Sequence, residues 1–587
     1  MNEAAVEWLE RVRDAERRGD HLKAHDLAMQ GLREHGDSIA LKHRAVLSLA
    51  RCGSTEGAER LLRELGLAGH SDEDVASLEA RLVKDRALRA GGDEGRALAR
   101  TAAAMYAAVY ARTGGYYPGI NAATMMLLGG DRARARTIAR DVDCACAVAT
   151  AHGEIDAYYL EATRAEVALV LGDSARAHDH LVLARALSHG DHAAVAATRR
   201  QLMLVCNADG IALDVLEPLV PPRVAFYTGH MFHEDERAIE ASLTVRVDAH
   251  LAARDVGYGH GALACGSDIV FAERLLARGA KLGVVLPFDA RDFVAESVAP
   301  GGSSWMGRFE ACLAAASSVT YATKETKLGD DTLFAYGARL AMGLAALGAR
   351  QLAADVELLG AWCGAPATGP SGTGADIAYW RSRGLASVVF DQPKSSTVVQ
   401  TSSLPPAGQR RVARSLLFAD VRGFSSLLDS QIPAFVEHAL GAFAGALAPH
   451  AHAVRFSNTW GDGLYVAFDD VASAATAALE LQRAFARVDF TRHGLPDRLA
   501  LRVGVHTGPV FECDDPVTAR PVPFGAHVTR AARIEPITPP GEVYVTEPFA
   551  ALLALEAHDQ DCEYVGLVAA AKEWGTERMY VLRQRQA

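Results

Sequence analysis

The stretch R-S-L-L-F-A-D-V-R-G-F-S-S-L, Arg414 to Leu427, decides how the last third of this 587-residue chain is read. An apolar run delivers Asp420 to a strand end, Gly423 turns the chain, and an amphipathic helix is expected through about Leu447. A carboxylate there, beside the exposed amides of Gly423 and Phe424, makes a place for metal-bound phosphates. Alone, such an aspartate could equally cap the helix. Further on, V-R-F-S-N-T-W-G-D-G-L-Y-V-A-F, Val454 to Phe468, reads as two strands joined at Gly461-Asp462-Gly463, a hairpin with Asp462 at its tip. If the hairpin pairs beside the first strand, Asp420 and Asp462 can share divalent cations, because hard Mg²⁺ or Mn²⁺ prefers oxygen ligands.

A helix from Val471 to Val488, a strand from Leu499 and a helix from His527 complete the βαββαβ order of a ferredoxin-like α+β palm. In this order, F-A-D-V-R-G-F, W-G-D-G, R-V-G-V-H-T-G-P-V and F-G-A-H-V-T-R-A-A-R-I-E resemble the class III adenylyl and guanylyl cyclase catalytic domain over nearly all of residues 411–587. The resemblance implies a nucleoside triphosphate substrate and two Mg²⁺ or Mn²⁺ per site, held by Asp420, Asp462 and the Val421 carbonyl. It implies that Arg533 stabilises charge at the reacting phosphate, and it aligns Lys572 loosely with a phosphate-contacting lysine. It also implies a head-to-tail homodimer, because the aspartates and the arginine of one site come from opposite subunits.

Three positions depart from the family pattern. Thr529 stands where asparagine is usual, with a hydroxyl of shorter reach than an amide. The base-recognition pair is Asn458 and Val522, where adenylyl cyclases carry lysine and aspartate or threonine. Val522 cannot hydrogen-bond a base edge, so the usual basis for choosing adenine is lost. An ATP cyclase using other contacts, a cyclase for another base, and a degenerate nucleotide-responsive scaffold or dimerisation module all stay open.

Upstream, Glu3 to about Leu216 is Ala-, Leu- and Arg-rich with helical periodicity. Segments at Arg17 and Ala50 align Gly19 with Gly53, an offset of 34 residues, the tetratricopeptide period. Gly130 and Gly172 mark a second matched pair of turns. Y-Y-P-G-I-N-A-A-T-M-M-L-L, Tyr116 to Leu128, resembles the TPR-S sensor repeats and the TRAF-binding region of apoptosis-signal-regulating kinases, which implies an all-α module receiving a protein or nucleotide-derived signal.

After Pro221-Pro222, strands at Arg223 and Lys281 alternate with helices and a Gly-rich loop, Gly257 to Asp268, as in a doubly wound α/β sheet. G-H-M, L-A-C-G-S-D and G-T-G-A-D resemble the SLOG superfamily of Rossmann-like domains, which implies a nucleotide-ligand pocket lined by Gly229, His230, Gly266, Ser267 and Asp268. The expected domains are therefore 1–216 (helical, TPR-like), 222–392 (SLOG-like), a 393–410 linker, and 411–587 (cyclase).

Composition adds limits. A net charge of −12 gives no general basic footprint for nucleic acid. Met1 to Leu9 lacks a signal-peptide pattern, and the apolar window Leu340 to Trp362 carries Arg350, Asp355 and Glu357, so it reads as a buried or amphipathic helix. A cytoplasmic chain with reduced cysteines and no membrane anchor is expected. The combination of modules suggests stress or anti-invader signalling.

Overall fold

The computed structural model describes residues 3–17, 21–51, 54–152, 156–327, 331–367, 369–398, 411–556, 559–569, 571 and 575–585. Gly19, Gly53, Lys572 and most of the 393–410 segment lie outside them.

The first part is a run of helices: α1 (Glu3–Arg17), α2 (His21–His35), α3 (Ile39–Arg51), α4 (Thr55–Glu64), α5 (Glu73–Ala90), α6 (Gly92–Thr113), α7 (Tyr116–Leu128), α8 (Arg132–His152), α9 (Ala157–Leu171), α10 (Ser174–Leu187) and α11 (His192–Asp209). A Gly-Asp pair makes three of the turns. Gly130, Gly172 and Gly190 take positive φ, which glycine tolerates, and Asp131, Asp173 and Asp191 accept the amides of Arg134, Arg176 and Ala194 at the next helix start. Helix α7 is buried along most of its length, and Gly119 admits Val142 and the Tyr110 ring so closely that a Cβ would meet Val142 at 2.6 Å. Its polar residues close a buried network. Lys84 Nζ donates to Asn121 (2.8 Å) and Gln201 (2.6 Å), while Glu166 accepts from Gln201 (2.6 Å) and Thr124 (2.5 Å). Each member has a partner, as buried polar groups require.

The second part alternates β1 (Arg223–Gly229), α12 (Arg237–Ala253), β2 (Val256–Gly261), α13 (Ser267–Ala277), β3 (Lys281–Leu286), α14 (Ala290–Phe293), α15 (Ser304–Ala315), β4 (Ser318–Tyr321), α16 (Thr332–Leu352), β5 (Val356–Trp362), α17 (Thr373–Ser382) and β6 (Ala386–Asp391). The six strands are parallel in the order β4-β3-β2-β1-β5-β6. Alternation along β1 sends Val224 and Phe226 to the α16–α17 face and Ala225 and Tyr227 to the α12–α13 face, so both faces are covered. Two expectations are corrected here. The Gly-rich segment from Gly257 begins as strand β2: its glycines make room for neighbours, since a Cβ at Gly259 would meet Leu275 at 2.5 Å and one at Gly261 the Tyr227 ring at 2.4 Å. The Leu340–Trp362 window is the end of α16 followed by β5, not one helix.

The third part holds β7 (Arg411–Arg422), α18 (Ile432–Phe435), α19 (Gly441–Leu447), β8 (Val454–Trp460), β9 (Gly463–Phe468), α20 (Val471–Ala486), β10 (Ala500–Asp515), β11 (Arg520–Phe524), α21 (Ala526–Ala531), β12 (Val543–Thr546), α22 (Glu547–Glu556), β13 (Gln560–Ala569) and β14 (Thr576–Gln584). The sheet order β13-β14-β12-β10-β7-β9-β8 contains the antiparallel β10-β7-β9-β8 arrangement of a ferredoxin-like palm. The helix expected after Gly423 is broken: 3₁₀ turns at Phe424–Ser426 and Asp429–Gln431 precede it, and a π turn at Val436–Leu440 divides α18 from α19. The expected helix from His527 likewise ends at Ala531, leaving Arg533 in the turn beyond it.

Helix α16 joins the two sheets. One side packs on β1–β3, and the other lies on α22 so closely that a Cβ at Gly343 would sit 2.6 Å from the Ala551 carbonyl. Tyr336 Oη donates to the Thr507 carbonyl of β10 at 2.9 Å, and Arg350 to the Ala554 carbonyl at 2.6 Å. The first helices also dock on the third part: Asp26 accepts from Tyr564 Oη (2.7 Å) and the Leu567 amide (2.8 Å), and Arg89 pairs with Glu563 (2.6 Å). By length and composition two helical runs, Thr332–Leu352 and Asp429–His450, could cross a membrane; the first is mostly buried between these sheets. No disulfide forms among the described cysteines.

Gly343 and Gly348 lie on the same helix, but no atom lies within 4 Å of a Cβ at Gly348. Gly348→Ala is expected to stabilise by ~0.5–1 kcal/mol through helix propensity. Gly343→Ala is expected to destabilise by ~1–3 kcal/mol through overpacking. Urea denaturation of the two variants checks the opposite signs.

Candidate active site

Strand β7 ends where antiparallel pairing sets Asp420 directly opposite Arg502 of β10. The pair is a real contact: Arg502 Nη2 donates to Asp420 Oδ2 at 2.7 Å, and the same guanidinium lies 3.0 Å from Glu535, just past α21. The β8–β9 hairpin turns on two residues, Gly461 and Asp462, with Trp460 paired to Gly463. Gly461 takes φ +64° and Gly463 lies under the Trp460 indole, where a Cβ would meet Nε1 at 2.4 Å. Gly423, at φ +97°, turns Phe424 towards Gly461 and onto Phe435, so the two loops that carry the aspartates touch.

Asp462 therefore lies against Asp420. Burial and the Asp420 charge raise the Asp462 carboxyl to about 6, and burial raises Glu535 to about 7, with Arg502 opposing and the two aspartates adding. Two carboxylates held together with one disfavoured as an anion fit a divalent cation, whose charge relieves the repulsion. The Val421 side chain is buried in the core, so only its carbonyl can serve as a ligand. No group of three or more His, Cys, Asp or Glu side chains forms a metal cluster among the described residues. The donor set is thus two carboxylates plus backbone and substrate oxygens, a pattern that suits Mg²⁺.

Thr529 lies on α21 and Arg533 two residues past its end, with Nε buried and without a hydrogen-bond partner. Neither bonds to Asp420 or Asp462 among the described residues. Helix α21 is pinned from behind: His527 Nδ1 and His506 Nε2 are 2.9 Å apart, His506 bonds Thr546 Oγ1 at 2.8 Å, and Arg530 pairs with Glu577. Burial pushes both imidazoles well down, His527 to about 3, so the pair is neutral. Gly508 exists for this contact, since a Cβ there would meet the His527 ring at 2.1 Å.

Comparison with known proteins places residues 408–584 under the family described as adenylate and guanylate cyclase catalytic domain. The C-terminal segment is a class III cyclase domain. Residues 1–126 match the family described as tetratricopeptide repeats-sensor, through most of α7. Similar solved structures include the adenylyl cyclase CyaB from P. aeruginosa, 18% identical at a TM-score of 0.27 over 30% of this chain and 98% of that one. The guanylate cyclase domain of RhGC from Catenaria anguillulae is 15% identical at 0.27, over 30% and 99%. An adenylate cyclase of Trypanosoma brucei is 22% identical at 0.26, over 30% and 89%. No curated protein matches the chain.

In this cyclase domain Asn458 is exposed on β8, paired with Tyr465, and Val522 sits on β11 opposite Cys513. The two are not bonded to each other. Arg502 and Glu535 were missed by sequence reading, although a lone arginine in the apolar alternation L-R-V-G-V, across the sheet from an aspartate, was the available signal.

The five residues expected to line the nucleotide pocket do come together, at the ends of the parallel strands where β1 and β5 diverge, the switch point of a doubly wound sheet. Asp268 accepts the Gly229 amide (3.0 Å), Ser267 donates to the His230 carbonyl (2.7 Å), and the Cys363 amide donates to His230 Nε2 (3.2 Å). Gly266 holds φ +89°. The adjoining cavity, about 500 Å³, is lined by Gly229, His230 and Asp268 but not by Gly266 or Ser267, with the start of α17 opposite. Asp376 on α17 accepts from Thr228 (3.0 Å), and burial raises both Asp268 and Asp376 to about 7.

Because the folded-state carboxyl of Asp462 is raised, its contribution to stability is present below the unfolded carboxylate range and is lost as pH rises through about 6. Without metal, Asp462→Asn is expected to raise Tm at pH 7.5, with the gain fading by pH 5. Added Mn²⁺ should then raise Tm of the parent and leave the variant unmoved, which thermal melts at the two pH values check.

Proposed function

We propose that this chain is a signalling nucleotidyl cyclase that converts a nucleoside triphosphate to a 3′,5′-cyclic nucleotide and pyrophosphate. The observation that carries this reading is the meeting of Asp420 and Asp462 at touching loops, inside the segment that matches the cyclase family. Asp420, Asp462 and the Val421 carbonyl would hold two Mg²⁺ or Mn²⁺. When bound, the ions supply Lewis acidity at the ribose 3′-oxygen and the triphosphate. The 3′-oxygen forms a bond to the α-phosphorus, its proton leaves, and the bond from that phosphorus to pyrophosphate breaks.

The protein's own part is positional and electrostatic. The amides at Gly423 and Phe424 cradle phosphate oxygens, and Lys572 is a candidate phosphate contact. Arg533 meets the charge developing on the α-phosphate, and the Thr529 hydroxyl orients the ribose region. In one copy Arg533 and Thr529 have no bond to the aspartates, which supports a head-to-tail homodimer with each site assembled from two chains. The face that would be covered carries Trp460, 52% exposed, beside Phe418 stacked on Tyr465.

Upstream, the TPR-S-like helices would receive the signal, and the switch-point cavity at Gly229, His230, Gly266, Ser267 and Asp268 would bind a nucleotide-derived ligand as in SLOG domains. Domain limits of 1–216, 222–392 and 411–587 suit this division, and a cytoplasmic site of action in stress or anti-invader signalling suits the parts. A second reading, a degenerate nucleotide-responsive scaffold, is favoured by one observation: Arg502 already neutralises Asp420.

Incubating the full chain with Mn²⁺ and ATP, GTP, CTP or UTP separately, then identifying products by mass spectrometry, separates the readings. A cyclic product is expected from at least one nucleotide. Asp420→Ala, Asp462→Ala and Arg533→Ala should each reduce it by about 10²–10³-fold. No metal-dependent product from a confirmed dimer favours the scaffold.

A further inference from the structure

Arg502 reaches two carboxylates at once and satisfies only one of them. Its Nη2 donates to Asp420 Oδ2 at 2.7 Å, and no other side-chain cation pairs with Asp420 among the described residues. Its Nε lies 3.0 Å from Glu535 Oε1, yet both atoms are buried and neither makes a hydrogen bond among the described residues, so the two face each other out of line. Buried donors and acceptors ordinarily pair. This donor and this acceptor are already within bonding distance, and only the angle between them is wrong while Nη2 is held by Asp420. The Glu535 backbone is fixed in place. The turn that carries it lies against β10 so closely that a Cβ at Gly504 would sit 2.6 Å from the Glu535 amide.

We propose that Arg502 is a displaceable internal counter-ion of the metal site, and that Glu535 is the positioning residue that receives it when a divalent cation binds Asp420 and Asp462. In the absence of metal, the guanidinium offsets the repulsion between two aspartates carried on touching loops. A divalent ion on the same carboxylate repels the guanidinium at short range, so the two cations compete for Asp420. Glu535 lowers the cost of release. With a second carboxylate in reach, Arg502 exchanges one charge-assisted hydrogen bond for another; without it, the displaced guanidinium would keep a buried Nε–H unpaired. The exchange rests on the cyclase reading, which supplies the metal.

Mn²⁺ binding to the full chain, followed by loss of the free-ion electron paramagnetic resonance signal, tests the exchange as a double-mutant cycle. Arg502→Gln removes the competitor and is expected to tighten binding several-fold. Glu535→Gln removes the receiver and should weaken binding about tenfold in the parent, but by no more than about twofold in the Arg502→Gln background, where there is no guanidinium to receive. A carboxylate acting on the metal directly, through space or as a ligand, would weaken binding equally in both backgrounds. Thermal melts in EDTA establish that each variant is folded, and Arg502→Met repeats the cycle if Arg502→Gln is not. Equal loss in the two backgrounds, no loss on Glu535→Gln in the parent, or weaker binding on Arg502→Gln would each overturn the proposal. Mn²⁺ binding that survives Asp462→Asn would remove the metal-site reading and the exchange with it. The expected cycle with no cyclic product from any nucleotide would count against the cyclase reading alone.

Discussion

Helix α16 has two buried faces, and much of the architecture follows from that. A helix on the outside of a parallel sheet normally keeps a polar face for water. Here that second face is covered by α22, and the approach is close because Gly343 lies under the Ala551 carbonyl. Polar groups at this interface end in specific bonds, Tyr336 to the Thr507 carbonyl and Arg350 to that of Ala554. An unpaired hydroxyl or guanidinium there would cost more than the bond contributes, so these contacts select one docking of the two sheets. Strand β10, which accepts from Tyr336, is also the strand that presents Arg502 to Asp420. A displacement of the central sheet therefore has a continuous packed path to Asp420 and its neighbour Asp462.

The second constraint is electrostatic. Asp420, Asp462 and Glu535 share one guanidinium among three carboxyls, and burial first, then the neighbouring carboxylates, raise Asp462 and Glu535. Lys84 and Glu166 in the helical part show the contrasting solution. There Lys84 donates to Asn121 and Gln201 and Glu166 accepts from Gln201 and Thr124, so each buried group has partners within the protein. A network left short of positive charge at the mouth of two touching loops is suited to binding a cation; a satisfied one in a core is suited to holding helices together.

Much of this was legible in the residues. Asp420 and Asp462 could be found because each sits in a local pattern, strand-then-glycine or hairpin, that fixes its place without knowledge of the rest. Gly130 and Gly172 were legible for the same reason. The parts that were not legible depend on distant neighbours. Glycines at 257, 259 and 261 read as a loop because glycine signals turns, whereas Leu275 and Tyr227, remote in sequence, need the space. Arg502 was hidden because only the β7–β10 register gives it meaning. Helix α16 read simply as buried, since composition shows that a face is apolar and not which surfaces cover it.

The same distinction bears on which base is cyclised. Discrimination requires donors or acceptors that are buried against the base, so that a wrong base leaves them unpaired. In a single copy Asn458 faces water on an exposed strand, and Val522 offers no polar atom. Neither position can discriminate as it stands, whatever its side chain. On the proposed head-to-tail arrangement a second copy buries the face carrying Trp460 and Asn458, and the environment of that amide changes from water to protein. Base choice would then be a property of the assembled pair, set by which groups of the partner Asn458 meets. Signals that alter how α21 and the β8–β9 hairpin face the partner would act on specificity and on rate through the same contacts.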